Sequence, residues 1–126
     1  MTTAVVPFND PEALDRRLAQ GDVAALLMEP ALTNIGIVLP DEGYLDQVRE
    51  ITRRHGVLWI IDETHRSAPA RRVHRCLGLE PDFVTMGKPI GGGVPVAAYG
   101  ASQEVADRLN VHMLGPEIDV AGVGGT

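Results

Sequence analysis

The one lysine of the chain, Lys88, stands between Gly87 and Pro89 and is followed by Gly91, Gly92 and Gly93. A lysine held in a dry pocket has a lowered pKa, which makes its amine nucleophilic. Glycines beside it let a bulky planar ligand approach the backbone closely. Two carboxylates occupy comparable places. Asp62 ends the apolar run Val57 to Ile61, and Glu29 ends the run Val23 to Met28. A carboxylate at such depth is costly unless a cation meets it. Taken singly, each residue has a plain structural role: Asp62 as a turn former, Lys88 as a solvated loop residue, the glycines as hairpin geometry. Taken together, Glu29, Asp62 and Lys88 each close an apolar run, and such groups converge at the carboxyl edge of a parallel sheet, where ligands bind.

Sharper motifs fail. A phosphate-cradling P-loop needs glycine six residues before its lysine, and that position is Asp82. A dinucleotide fingerprint starting at Gly91 and Gly93 would need its third glycine at Val96. His65 follows Asp62 and Glu63 closely, but the spacing matches no helix-borne zinc motif and reads as a hydrogen-bonding loop histidine. Cys76 has only His74 nearby as a base, which makes a poor case for a thiol nucleophile.

The elements that position these groups follow from the apolar pattern. Asn9 or Asp10 caps a first helix carrying Leu14 and Leu18 on one face. The unalternating run Val23 to Met28 predicts a strand buried on both faces. Asp41 is read as the cap of a second helix with Tyr44, Leu45, Val48 and Ile51 inward. Val57 to Ile61 is a second buried strand, parallel to the first through a right-handed crossover. The arginine-rich stretch from Arg66 to Leu77 reads as a loop with a short helix. Asp82 to Met86 is a third strand and Val94 to Tyr99 a fourth. The last gap is too short for a parallel crossover, so the fourth strand is expected antiparallel. Ser102 caps a final helix over about Gln103 to Asn110.

The chain has 126 residues, 44% of them hydrophobic, and a net charge of −6, which suits one globular domain, α/β by the element order above, and argues against a nucleic-acid binder working through a basic face. No apolar run approaches the ~20 residues of a membrane span. A single cysteine suits a reducing, cytoplasmic compartment.

At Ile61-Asp62-Glu63-Thr64-His65 and Gly87-Lys88-Pro89-Ile90-Gly91-Gly92-Gly93 the sequence resembles the class III aminotransferases, pyridoxal-phosphate enzymes of fold type I. The likeness extends to Met28-Glu29-Pro30, Thr33-Asn34-Ile35-Gly36, Leu79-Glu80-Pro81-Asp82 and Gly124-Gly125-Thr126, and is strongest toward the glutamate-1-semialdehyde aminomutase branch. The resemblance implies that residues 1–126 are a part of the large domain with about four strands, lacking the family's amino-terminal part and carboxyl-terminal domain. It implies that Lys88 forms the internal aldimine with pyridoxal 5′-phosphate and shuttles protons, and that Asp62 pairs with the pyridine nitrogen. Asn34 would lie near the phenolic oxygen, Thr64 would pack its methyl on the ring, and Thr126 would reach the phosphate of the neighbouring subunit in a homodimer. The implied activity is amino-group transfer on a small amino acid or amine. Two other readings compete: a non-catalytic remnant or interaction module, and a receiver-like signalling domain. In a receiver the acceptor aspartate lies about two strand–helix units before the lysine, whereas Asp62 is one strand before Lys88.

Overall fold

A computed structural model describes residues 3–65 and 73–113, by backbone alone at Pro89 and residues 110–113. Of the two candidate caps, Asp10 starts α1 (Pro11–Leu18): its Oδ1 accepts from the Ala13 amide at 2.8 Å, and Pro11 sits in the first turn where no amide partner is needed. After α1 come β1 (Ala25–Met28), α2 (Tyr44–Arg54), β2 (Leu58–Asp62), the short α3 (Val73–Cys76) and β3 (Phe83–Met86). A single 3₁₀ turn over Lys88–Gly91 leads to β4 (Ala98–Ala101) and α4 (Gln103–Met113). Ser102 caps α4 as expected, its hydroxyl accepting from the Val105 amide at 3.3 Å.

The four strands form one sheet in the order β1-β2-β3-β4. β1, β2 and β3 are parallel, and β4 runs antiparallel to β3 with Phe83 opposite Ala101 and Met86 opposite Ala98. This is the expected α/β class and strand sense. Three local expectations are corrected. Asp41 does not cap α2; its carbonyl accepts from the Tyr44 amide in a turn, and Gly43, at φ +75°, is the cap residue in a left-handed conformation that glycine adopts freely. β4 starts at Ala98, four residues later than Val94. Pro95 lacks the amide a ladder needs, and Val96 folds back on the turn, where a Cβ at Gly91 would stand 3.4 Å from Val96 Cβ. β1 is not buried on both faces: Leu27 is exposed, whereas Leu26 packs inward.

The reason lies in the layers. α1 and α2 stack on the same face of the sheet, against Trp59 and Ile61 of β2, and with Leu14, Leu18, Tyr44, Val48 and Ile51 they make the core. Phe8 adds an edge-on contact to the Tyr44 ring at 5.2 Å. Side chains alternate across a strand, so Leu58, Ile60 and Asp62 of β2 point to the opposite face, which is only partly covered. The Asp62 carboxylate therefore sits on the open side of the sheet. Among the described residues no helix is long and apolar enough to cross a membrane.

Asp82 ties the layers together. Its carboxylate takes two guanidinium bonds from Arg49 of α2, at 2.8 and 3.1 Å, and the Trp59 amide of β2 at 2.7 Å. Its carbonyl accepts from the Ser102 amide ahead of α4 at 2.8 Å. Burial pushes the Asp82 carboxyl up, but the Arg49 bonds, the Trp59 amide and the Arg49 and Arg53 charges together hold it below the ordinary carboxylate range. A carboxyl whose folded pKa is depressed contributes stability that is complete above the unfolded value, about 3.9, and is lost as pH falls through the folded one. Urea titrations from neutral pH into acid should show this loss below about pH 4, with a shallower slope in Asp82→Asn. An unchanged slope in that variant would remove Asp82 from the acid response.

Candidate functional site

The parallel strands β1, β2 and β3 end side by side, and the polar groups singled out in the sequence lie at those ends. Asp62 is the last residue of β2, paired in register with Thr85 of β3. Its Oδ1 accepts from the Thr64 amide at 2.9 Å and from the Thr85 hydroxyl at 3.1 Å. Burial pushes this carboxyl up, but the Thr64 amide and hydroxyl, the Thr85 hydroxyl and the charge of Lys88 outweigh it and hold Asp62 below the usual range. Asp62 is thus kept ionised, and the lysine's charge is one of the causes.

Lys88 follows β3 by two residues, opening the 3₁₀ turn. Its φ of +39° lies in the left-handed region, which costs a side-chain-bearing residue about 1–2 kcal/mol. Such conformations cluster where a side chain must be aimed. Lys88 is exposed, and its Nζ contacts His65 Nε2. Gly87 lies against Thr64, where a Cβ would stand 3.4 Å from the Thr64 methyl, at ordinary contact distance. Lys88 and Asp62 thus stand at the ends of neighbouring strands, near enough for the lysine's charge to act on the acid.

Glu29, just past β1, completes the row. Its carboxylate accepts the Thr33 hydroxyl and lies 4.0 Å from His65 Nδ1. His65 lies in the turn after β2, a polar loop histidine as expected, between Glu29 and Lys88. The signal that could have found it is its place three residues beyond Asp62, where the chain leaves β2 along the same sheet edge. Glu63, between Asp62 and Thr64, points inward instead and is buried. It accepts from the His74 amide at 2.7 Å and meets His74 Nδ1 at 2.8 Å, which fastens α3 to the end of β2. Asn34 is exposed in the loop after β1, with no hydrogen bond to it among the described residues. Thr126 lies outside the described residues. No cluster able to hold a metal ion occurs among the described residues. Cys76 is exposed at the end of α3.

The family described as Aminotransferase class-III matches residues 7–117. The chain belongs to this family. Its curated relatives include the glutamate-1-semialdehyde 2,1-aminomutase of Methanocorpusculum labreanum, 43% identical over 111 residues, covering 86% of this chain and 27% of that protein. That of Methanoculleus marisnigri is 46% identical over 110 residues, covering 85% and 26%. Among solved structures, a lysine-to-alanine variant of a glutamate-1-semialdehyde-aminomutase from Pseudomonas aeruginosa PAO1, in complex with PMP, superposes with a TM-score of 0.87 at 48% identity, covering 98% of this chain and 28% of the other. Plasmodium falciparum ornithine delta-aminotransferase superposes with a TM-score of 0.72 at 29% identity, covering 80% and 27%. The chain therefore spans little more than a quarter of the length of these relatives. As a class III aminotransferase family member it has the α/β, fold-type-I architecture, and a receiver domain is set aside.

Proposed function

We propose that the chain is the lysine-bearing part of the large domain of a pyridoxal-phosphate-dependent aminotransferase or aminomutase acting on a small amino acid or amine. The observation that carries this reading is Lys88, held at a left-handed φ beside Asp62 at the ends of neighbouring strands. Among the relatives above, those at 43–48% identity are aminomutases, and the ornithine aminotransferase stands at 29%, which favours movement of the amino group within one substrate.

The donor set fits the cofactor. When bound, pyridoxal 5′-phosphate supplies an aldehyde for covalent attachment and a protonated ring that withdraws electrons from the substrate carbon. Asp62, kept ionised by Thr64 and Thr85, would hold the proton on the ring nitrogen. The pairing also explains a carboxylate on this part of the sheet, since a cationic ring would meet it. Lys88 would anchor the aldehyde and then hold or release a proton at Nζ. Thr64, whose methyl lies against Gly87, would border the ring. Asn34 is assigned to the phenolic oxygen, and Thr126 to the phosphate of a neighbouring subunit in a homodimer. The single cysteine suits a cytoplasmic location.

The chain's lone lysine makes the test direct. The protein is mixed with pyridoxal 5′-phosphate, reduced with borohydride and digested, and the label is mapped by mass spectrometry. The expected site is Lys88. A label confined to the α-amino group, the one competing amine, would overturn the reading.

A further inference from the structure

We propose that His65, oriented by Glu29, is the proton acceptor that lets Lys88 act as a nucleophile toward carbonyl carbon; the inference rests on the reading of Lys88 given above. Three side chains from three strand ends line up here. Glu29 comes from the end of β1, His65 from the segment after β2, and Lys88 from the turn after β3. Lys88 Nζ meets His65 Nε2, and His65 Nδ1 faces Glu29 Oε2 at 4.0 Å. An imidazole has one N–H and one lone pair when neutral. With Nδ1–H toward the Glu29 carboxylate, the lone pair is left on Nε2, facing the amine. Glu29 is itself fixed by the Thr33 hydroxyl. A nucleophile, a base within reach of it, and a third group orienting the base form a recurring arrangement for activation.

The charges around His65 explain why the arrangement is useful. Glu29 lies on the Nδ1 side of the ring and Lys88 on the Nε2 side. The charge of Lys88 is one of the causes that hold Asp62 below the usual carboxylate range, so the two charges attract. An acceptor on the His65 side offsets that pull when the amine must lose a proton. As the lysine nitrogen bonds to a carbonyl carbon, the surplus proton on that nitrogen passes to His65 Nε2. The resulting imidazolium, its charge facing Glu29 at 4.0 Å, returns the proton to the former carbonyl oxygen, and a second proton follows the same route from the nitrogen as the carbon–oxygen bond breaks and water leaves. The sum is amine plus aldehyde giving imine plus water, with His65 restored and no oxidant consumed. His65 is a third exposed, outside the core, so its replacement tests chemistry rather than packing.

The test uses the full chain without cofactor. It is mixed with propanal, samples are quenched with borohydride at timed intervals, and propylation of Lys88 is followed by mass spectrometry across pH. In the unaltered chain the label should accumulate at neutral pH. In His65→Ala the rate should fall about 100-fold at neutral pH, and its rise with pH should move to more alkaline values. Added imidazole should restore part of the lost rate, which a purely structural role would not allow. Glu29→Ala should give an intermediate loss with His65 in place. A His65→Ala chain labelled at the unaltered rate with an unaltered pH profile overturns the inference while leaving the role of Lys88 standing. An unaltered chain that never labels at Lys88 overturns both.

Discussion

Lys88→Ala is expected to abolish borohydride-trapped attachment of pyridoxal 5′-phosphate while leaving the fold intact. Lys88 is exposed and packs no core residue, so its loss removes chemistry and little else. No second lysine can substitute, because all ten other basic Lys/Arg positions are arginine, whose guanidinium does not deprotonate in a protein. Lys88→Gly separates chemistry from folding. It loses the label equally, yet it relieves the φ of +39° and should be more stable than the alanine variant by about 1 kcal/mol. Mass spectrometry of the trapped products and urea unfolding of both variants provide the check. Equal stabilities would mean that the turn bears no strain at Lys88, and internal label surviving in either variant would place the attachment elsewhere. The PMP complex of the Pseudomonas aeruginosa relative was obtained with a lysine-to-alanine variant.

Trp59→Ala should be the most damaging single core change. Trp59 is fully buried on β2, at the centre of the layer formed with α1 and α2. Truncating a buried aromatic costs about 3–5 kcal/mol, and a domain of this size has about 5–15 kcal/mol in all. Circular dichroism should show a urea midpoint shifted far down, or no cooperative transition at all. Trp59→Phe should cost much less. It keeps most of the ring contact and removes an indole N–H that has no acceptor among the described residues. If the two variants lost the same stability, the central place of Trp59 in the core would be wrong. As the sole tryptophan, Trp59 also reports unfolding of the unaltered chain by fluorescence.

The residues explain what could be read without coordinates. β2 and β3 are short apolar runs that make the same demand locally and globally, so their places and the parallel sense followed from pattern. Asp62 and Lys88 were legible because each is a charge where the apolar run stops. β4 was misplaced because Val94 and Val96 have high strand propensity, while the real strand, Ala-Tyr-Gly-Ala, has little. It is a strand because β3 offers it a ladder, which is a tertiary cause. The exposure of Leu27 was hidden for the same kind of reason: a run of apolar residues does not say on which face the helices will lie. His65 was undervalued because contact with Lys88 requires two loops, 23 residues apart, to meet at one sheet edge.

The spatial order of the strands repeats their order in the chain, each lying beside the one made just before it. During synthesis, a growing polypeptide of this kind can extend its sheet one ladder at a time, with every new strand finding an edge already waiting and no earlier pair to pry open. Asp62 would be in place before Lys88 leaves the ribosome, and β4, arriving last, would close the hairpin that holds the lysine's turn.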